Sequence, residues 1–428
     1  MKKTDNSQLK QVEINKEVFY KISNVDQIQP FFISIISSSN HWLFIGSNGG
    51  ISAGRKDPEN ALFPYYTDDK IIESCEVTGS KTILRVQKNE RIHIWEPFSI
   101  HFANQYRLER NLYKSVYGNK ILFEEKNLDL NLSFSFEWTT SDRFGFVKTS
   151  NILNLSDSPI HISFLDGIQN IMPHGVGSAL QNMRSNLVDA YKRNELDVES
   201  GIGIFALSAI IVDKAEPSEA LKASIAWSLG LEKAKRLLSS SQLNTFRNGL
   251  PIEEEKDVKA QRGSYFVSSD LDLEIGQSKE WMILADINQN VSQIRALAKE
   301  IKSDSQLIAK VKADIHLGTQ ELLRLNAASD GLQLTADHLK DTRHFANAMF
   351  NIMRGGIFDK NYQIEKEDFK NTILKANREV FERQKNNLDS LPGKFSLTEL
   401  KELAERSGDA HFQRLCLEYL PLKFSRRH

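Results

Sequence analysis

Over the first 288 residues, apolar and polar positions alternate in short runs, the period of two expected of half-buried strands. Ile92-His93-Ile94-Trp95, Leu130 to Trp138 (LNLSFSFEW) and His161 to Phe164 carry it most clearly. Phe144 to Val147 leads into Ile152 to Leu155, and Ser156-Asp157-Ser158-Pro159 then turns the chain. Ile202 to Val212 is more continuously apolar, as a strand covered on both faces should be. Ser224 to Gly230 and Trp281 to Ile287 read as later strands. So many antiparallel-looking strands need two packed sheets to hide their apolar faces, which predicts a large antiparallel β-sandwich. Two interruptions read differently. Ala179, Leu180, Met183, Leu187, Val188 and Tyr191 stand three and four apart, which predicts an inserted helix over 178–193. Leu231 to Leu250 predicts a short helix with a surface loop, and Pro251 followed by Glu253-Glu254-Glu255-Lys256 a solvated excursion.

Beyond Asn288 the period becomes helical. Val291, Ile294, Leu297, Ala298 and Ile301 form one stripe, and Leu307, Ile308, Val311 and Ile315 another behind an Asp304 cap. Leu334, Leu339, Phe345, Ala346, Met349, Phe350 and Met353 continue until Gly355-Gly356 stops them. A helix is expected from Glu365 to Asn386, and Ser396 with Glu399 makes a capping box for the next. A last amphipathic piece carries Phe412, Leu415, Cys416 and Tyr419 and closes at Pro421. The expected order is mainly β, then α: a sandwich over 1–288, a helical linker over 289–355, and a helical segment over 356–428.

Composition sharpens the boundary. All five tryptophans and eight of the ten prolines precede residue 288. A net charge of −1 gives no reason to expect nucleic acid or an anionic membrane surface. Cys75 and Cys416 make neither a disulfide framework nor a metal quartet, and no apolar run is long enough to span a bilayer. A cytoplasmic protein without nucleic-acid or membrane partners is the expectation.

Candidate chemistry concentrates between Asn40 and Ile71, where Trp42, Phe44, Phe63, Tyr65 and Tyr66 surround the turn signals Ser47-Asn48-Gly49-Gly50, Ala53-Gly54 and Asp57-Pro58. Two readings stand: a shaped surface, or two strands and an ordered loop with the aromatics buried. The glycines open no helix, so they form neither a P-loop nor a dinucleotide fingerprint. The ten histidines do not cluster at metal spacing, so no metal ligand is expected. Asp68 and Asp69, read as neighbours in an extended stretch, point to opposite faces and make a poor acid/base pair. Carbohydrate recognition asks instead for aromatic faces beside planar polar groups. Trp42, Arg55, Tyr65, Tyr66, Asp68 and Asp69 fit that type, as do Asn170, His174, Arg184 and Arg193 around the inserted helix.

The strings SNGGISAGRKDPENALFPYYTDDKI, Asp166-Gly167-Ile168-Gln169-Asn170 (read as a turn) and LVDAYKRNE, with the closing Phe424-Ser425-Arg426-Arg427-His428, carry a resemblance. The chain resembles the N-terminal portion of the cellobiose and chitobiose phosphorylase family, inverting glycoside phosphorylases grouped with glycoside hydrolases. That resemblance implies a galactose mutarotase-like supersandwich, a helical linker, and then an (α/α)6 barrel that carries the general acid and the phosphate site. The barrel is expected to be missing here, so no catalytic residue is carried over. It further implies a sugar-binding and assembly role, with an oligosaccharide or disaccharide as ligand. A second copy or a separately encoded barrel is the expected protein partner. No cofactor is implied, and inorganic phosphate enters only as co-substrate where a barrel is supplied. The alternatives are a free-standing carbohydrate-binding or assembly module, and a self-sufficient sugar enzyme such as an epimerase, which needs an acid/base pair within the first 288 residues.

Overall fold

A computed structural model describes residues 9–102, 104–182, 186–209, 221–358 and 362–423. The chain divides into two compact units, Met1–Thr319 and Gln320–His428. In the first, an eleven-stranded sheet starts at Leu9–Ile14 and passes through Glu17–Ser23, Leu108–Ser115, Ile121–Asn127, Leu132–Ser141, Gly145–Asn154 and Ser278–Gln289. It continues through Ala223–Leu229, Ile202–Leu207 and Lys192–Asp197 to Asp257–Lys259. A five-stranded sheet runs Lys235–Leu237, Gly263–Leu273, Ile160–Ile171, Gly79–Lys88, Arg91–Trp95, and a four-stranded sheet runs Phe32–Ile35, His41–Gly46, Ile51–Arg55, Ala61–Phe63.

The three sheets share one core. Leu43, Ile51 and Phe63 come from the four-stranded sheet, Phe123, Phe134, Phe146 and Trp281 from the eleven-stranded, and Trp95, Ile162, Phe164 and Tyr265 from the five-stranded. The alternation in LNLSFSFEW sends Phe134, Phe136 and Trp138 inward, and Phe136 stacks on Phe123 with centroids 4.9 Å apart. The predicted antiparallel sandwich is therefore the fold, built from three sheets instead of two.

Several elements differ from expectation. The helix expected over 178–193 is two short helices, Ser178–Asn182 and Asn186–Ala190, after which Lys192–Asp197 is already a strand. Lys192 opens the edge region of the large sheet, so pairing with Ile202–Leu207 overrides the helical spacing. The strand predicted to Val212 is Ile202–Leu207, and its expected end lies outside the described residues. The excursion after Pro251 is tied down: Glu255 accepts from Leu238 N at 2.7 Å and from Ser239 Oγ at 3.0 Å.

Helix Val291–Ser303 starts in a full capping box between Asn290 and Gln293. It and the first part of Leu307–Ala327 cover the other face of the large sheet, where Leu307, Val311 and Ile315 pack with Phe144, Trp227, Met282 and Leu284. No helix among the described residues is long and apolar enough to cross a membrane.

In the second unit, helix His338–Gly355 stops where Gly356 adopts φ 78°, as the glycine pair predicted. The strand Ile357–Phe358 then pairs antiparallel with Leu422–Lys423. Between them, the single helix expected from Glu365 to Asn386 is three: Lys366–Ala376, Arg378–Arg383 and Lys385–Ser390. Asn377 breaks the run by capping the second piece through Val380 N at 3.1 Å. Leu397–Ser407 has the predicted Ser396–Glu399 capping box, and Ala410–Glu418 completes the unit.

Candidate functional site

Two adjoining cavities lie at one end of the five-stranded sheet, of ≈ 300 Å³ and ≈ 750 Å³, sharing Val77, Asn170 and Arg262 in their walls. The strand Ile160–Ile171 reaches this point through a β-bulge at Asn170, which adopts φ 62° and donates Nδ2 to Thr78 Oγ1 at 2.9 Å. The string Asp166 to Asn170 is thus a strand end with a bulge, not a turn. The bulge turns Asn170 into the cavity wall while Gln169 Nε2 reaches Glu76 O at 2.7 Å.

The smaller cavity is walled by helix Asp68–Glu73, the two short helices after Gly177, and the start of Lys192–Asp197. Tyr66 and Lys70 form one side, with the Lys70 ammonium 5.8 Å from the Tyr66 ring centroid and donating to Asn182 O at 3.0 Å. Met172, Val176, Leu180 and Val188 supply an apolar patch, and Asp189, Lys192 and Arg262 a charged one. Lys192 Nζ meets Asp189 Oδ1 at 2.8 Å, and Arg262 Nε meets Asp189 Oδ2 at 3.3 Å. Burial pushes the Lys192 ammonium below its usual range, with Asp189 opposing. Burial works to raise Asp189, but the hydrogen bonds and charges of Lys192 and Arg262 hold it below the usual carboxylate range.

The larger cavity has a charged floor. Lys81 Nζ bridges Glu76 Oε2 at 2.7 Å and Glu96 Oε2 at 2.8 Å, and Arg247 Nε meets Glu96 Oε1 at 2.5 Å. Burial works to raise Glu76, but the charge and hydrogen bond of Lys81, together with the Ile100 N–H and Ser99, hold it below the usual carboxylate range. Ser240, Ser241, Asn244, Gln261 and Ser264 complete the wall with hydroxyls and amides. The buried and half-buried carboxylates of both cavities are therefore committed to cations. What remains for a ligand is a ring face, an apolar patch, amides, hydroxyls and cationic edges, with the exposed Glu73 carboxylate in the smaller cavity and His101 in the larger.

The sequence-predicted residues do not converge. Tyr66 lines the smaller cavity, and Tyr65 stands beside it, its backbone N–H bonded to Gln181 Oε1 at 2.8 Å. Asp68 and Asp69 occupy the first turn of a helix instead of an extended stretch, exposed and stabilised there by the helix dipole. Trp42 is buried, edge-on to Tyr65 at 5.3 Å, with Nε1 donating to Asp57 O at 3.2 Å. Arg55 Nε pairs with Asp286 Oδ1 at 2.8 Å and Nη2 donates to Asp142 O at 2.8 Å, joining the four-stranded sheet to the large one. His174 Nδ1 bonds Asn288 Oδ1 at 2.6 Å. Arg193 sits on the next-to-last strand of the large sheet, between Glu195 and Asp257. Arg184 lies outside the described residues. Of the acids considered singly, Asp166 is enclosed in the core and Glu195 is held by Arg193.

Comparison with known proteins adds a local match. Residues 358–421 match the model of the glycoside hydrolase family 149 insertion domain 1. No curated protein matches the chain. Among solved structures, a bacterial glucoamylase complexed with acarbose is 10% identical, matching 95% of this chain and 59% of its own at a TM-score of 0.41. A protein assigned as kojibiose phosphorylase from the human microbiome is 11% identical, with 84% and 47% covered and a TM-score of 0.42. One assigned as an aldose 1-epimerase from Escherichia coli K12 is 8% identical, with 61% and 99% covered and a TM-score of 0.33. The chain spans less than two thirds of the glucoamylase and of the kojibiose phosphorylase, and likeness this remote carries no argument about activity.

Proposed function

We propose that this chain is the sugar-recognising and supporting portion of a glycoside phosphorylase- or hydrolase-type protein, and that it does not break glycosidic bonds alone. The observation that carries this reading is the state of the cavity carboxylates. Glycoside cleavage needs a protonated acid within reach of the leaving oxygen. Here three of the four carboxylates that line the cavities, Glu76, Glu96 and Asp189, are paired with Lys81, Arg247, Lys192 or Arg262, and the fourth, Glu73, is exposed. Hydroxyl recognition remains well served by Asn170, Gln169, Arg262 and the serines, with the Tyr66 ring for a sugar C–H face. The match at residues 358–421 to a domain of a glycoside hydrolase family supports the carbohydrate context.

On this reading the ligand is a disaccharide or oligosaccharide, and the protein partner is a second copy or a separately encoded catalytic barrel. Inorganic phosphate is a co-substrate only when such a barrel is present. Calorimetric titration with β-linked disaccharides tests the proposal. Saturable binding is expected, weakened about tenfold or more by Arg262→Ala, as loss of a charge-assisted hydrogen bond implies, and unaffected by Arg193→Ala. Phosphate-dependent release of sugar 1-phosphate by the purified chain would overturn the non-catalytic half. Absence of binding to any disaccharide, or binding indifferent to Arg262, would overturn the recognition half.

A further inference from the structure

The face of the five-stranded sheet that carries the candidate site passes under an apolar cover and emerges at the far end. Leu243, Phe246 and Ile252 lie over Ile83, Leu165, Leu237 and Phe266 there. One step along each strand the same face turns polar. Arg85 stands opposite Ser163, and Ser163 opposite Asp270, while Ser268 pairs with Lys235. These residues, with Lys233 and the Gly249–Ile252 loop, line a separate cavity of ≈ 750 Å³.

Arg85 is its unexplained member. Its Nε is shut off from solvent and has no hydrogen-bond partner, and among the described residues its guanidinium makes no ion pair. Among the described residues its cationic contact is the Phe246 ring, 5.7 Å from the guanidinium carbon. The loop is laid against it: a Cβ on Gly249, which sits at φ 75°, would stand 2.8 Å from Arg85 Nη2. Lys235 Nζ fixes the loop by donating to Ile252 O at 2.9 Å. The fold thus holds a guanidinium in place and, among the described residues, gives it no acceptor. A buried unpaired charged donor costs on the order of 1–3 kcal/mol or more, and a planar fork of donors is matched by a carboxylate or phosphate. Three cations, Arg85, Lys233 and Lys235, face one carboxylate, Asp270, so the cavity favours negative charge. Its size is that of a small-molecule site, roughly 300–1,000 Å³, and too large for a bare ion.

We propose that this cavity is a second ligand site, for a sugar-sized polyol bearing an oxyanion. Arg85 takes the oxyanion, Lys233 adds long-range attraction, and Ser163, Ser268 and Asp270 meet the hydroxyls. Titration calorimetry of the whole chain with glucose 6-phosphate, glucuronate, glucose and inorganic phosphate tests it. At least one anionic sugar binds saturably and about tenfold or more tighter than glucose or phosphate alone, weakening with salt. The stronger of the two anionic arms identifies phosphate or carboxylate as the group recognised. Arg85→Met lowers that affinity at least about tenfold with an unchanged melting temperature, whereas Arg262→Ala leaves it alone. If Arg85→Met does not fold, Lys233→Glu at its exposed position must still weaken binding severalfold. Lack of saturation by both anionic sugars at about 10 mM, the regime of Kd values above roughly 1 mM, overturns the proposal. So does affinity that survives both variants.

Discussion

Lys148 and Asp166 lie inside the sandwich, one from each major sheet, with no solvent exposure and Nζ 2.5 Å from Oδ1. Thr82 Oγ1, Ser150 Oγ and Trp281 Nε1 complete the Asp166 carboxylate at 2.6, 2.9 and 2.8 Å. Burial pushes the Lys148 ammonium down and Asp166 opposes it. Removing one partner leaves a buried charge, so Lys148→Met is expected to cost about 3–5 kcal/mol, and the double change Lys148→Met with Asp166→Leu far less. Urea unfolding of the three variants measures this, and equal losses in single and double variants would contradict it. Glu137 behaves oppositely. It is half-buried without a hydrogen bond among the described residues, and burial raises it to about 7. The folded state therefore holds a proton that the unfolded chain releases near pH 4.5. Stability falls as pH rises from about 4.5 to about 7 and then levels, by on the order of 3 kcal/mol. Glu137→Gln should flatten that slope and be the more stable protein at pH 8. Denaturant midpoints across pH measure it, and a slope unchanged by the substitution would assign the effect elsewhere.

At the scale of elements, local rules were legible and tertiary choices were not. The Ser396–Glu399 box and the Gly355-Gly356 stop act within four residues, so the sequence alone predicts them. The alternation around Phe134 and Phe136 likewise set their faces correctly. The alternation could not reveal that Lys148 and Ser150 face inward, because a polar residue on the core side breaks the pattern only once register is known. Helix 68–73 is six residues long and too short for a period to show, which is why Asp68 and Asp69 read as extended. The candidate site was mostly hidden. Lys81, Glu96, Arg247 and Arg262 come from separate segments, and only sheet pairing gathers them. The bulge at Asn170 is the element that aims this wall. Asn tolerates the left-handed conformation and Val does not, so Asn170→Val is expected to cost about 1–3 kcal/mol and to weaken sugar binding. Asn170→Gly, which keeps the backbone and loses the Thr78 bond, should cost about 1 kcal/mol or less. Equal losses in unfolding titrations would show that the backbone conformation is not what position 170 supplies.

At the scale of the whole molecule, the segment matched to an insertion domain has the topology of an insertion. The match covers 358–421, and the strands Ile357–Phe358 and Leu422–Lys423 pair at its two ends. The chain therefore enters and leaves at adjacent points, the arrangement that lets one module sit inside another without strain. Among the described residues, its buried apolar cluster, from Ile364 through Phe369, Leu400 and Phe412 to Tyr419, draws on none outside 364–419. Lys370 with Asp389, Arg383 with Asp409, and the Tyr419 hydroxyl with Asp368 close it further, all within the segment. A module of about 65 residues is near the lower limit for a self-sufficient core, so its independence is a sharp question. A fragment spanning 357–423 is expected to be helical and to unfold cooperatively on heating, with the Ser396→Ala variant less stable by about 1 kcal/mol. The complementary deletion, joining Phe358 to Leu422 through a short Gly-Ser linker, should leave the melting of the Met1–Thr319 unit unchanged. A fragment that stays unfolded, or a deletion that lowers the melting temperature of that unit, would mean that the cluster is not sufficient and that the segment is an integral part of its host.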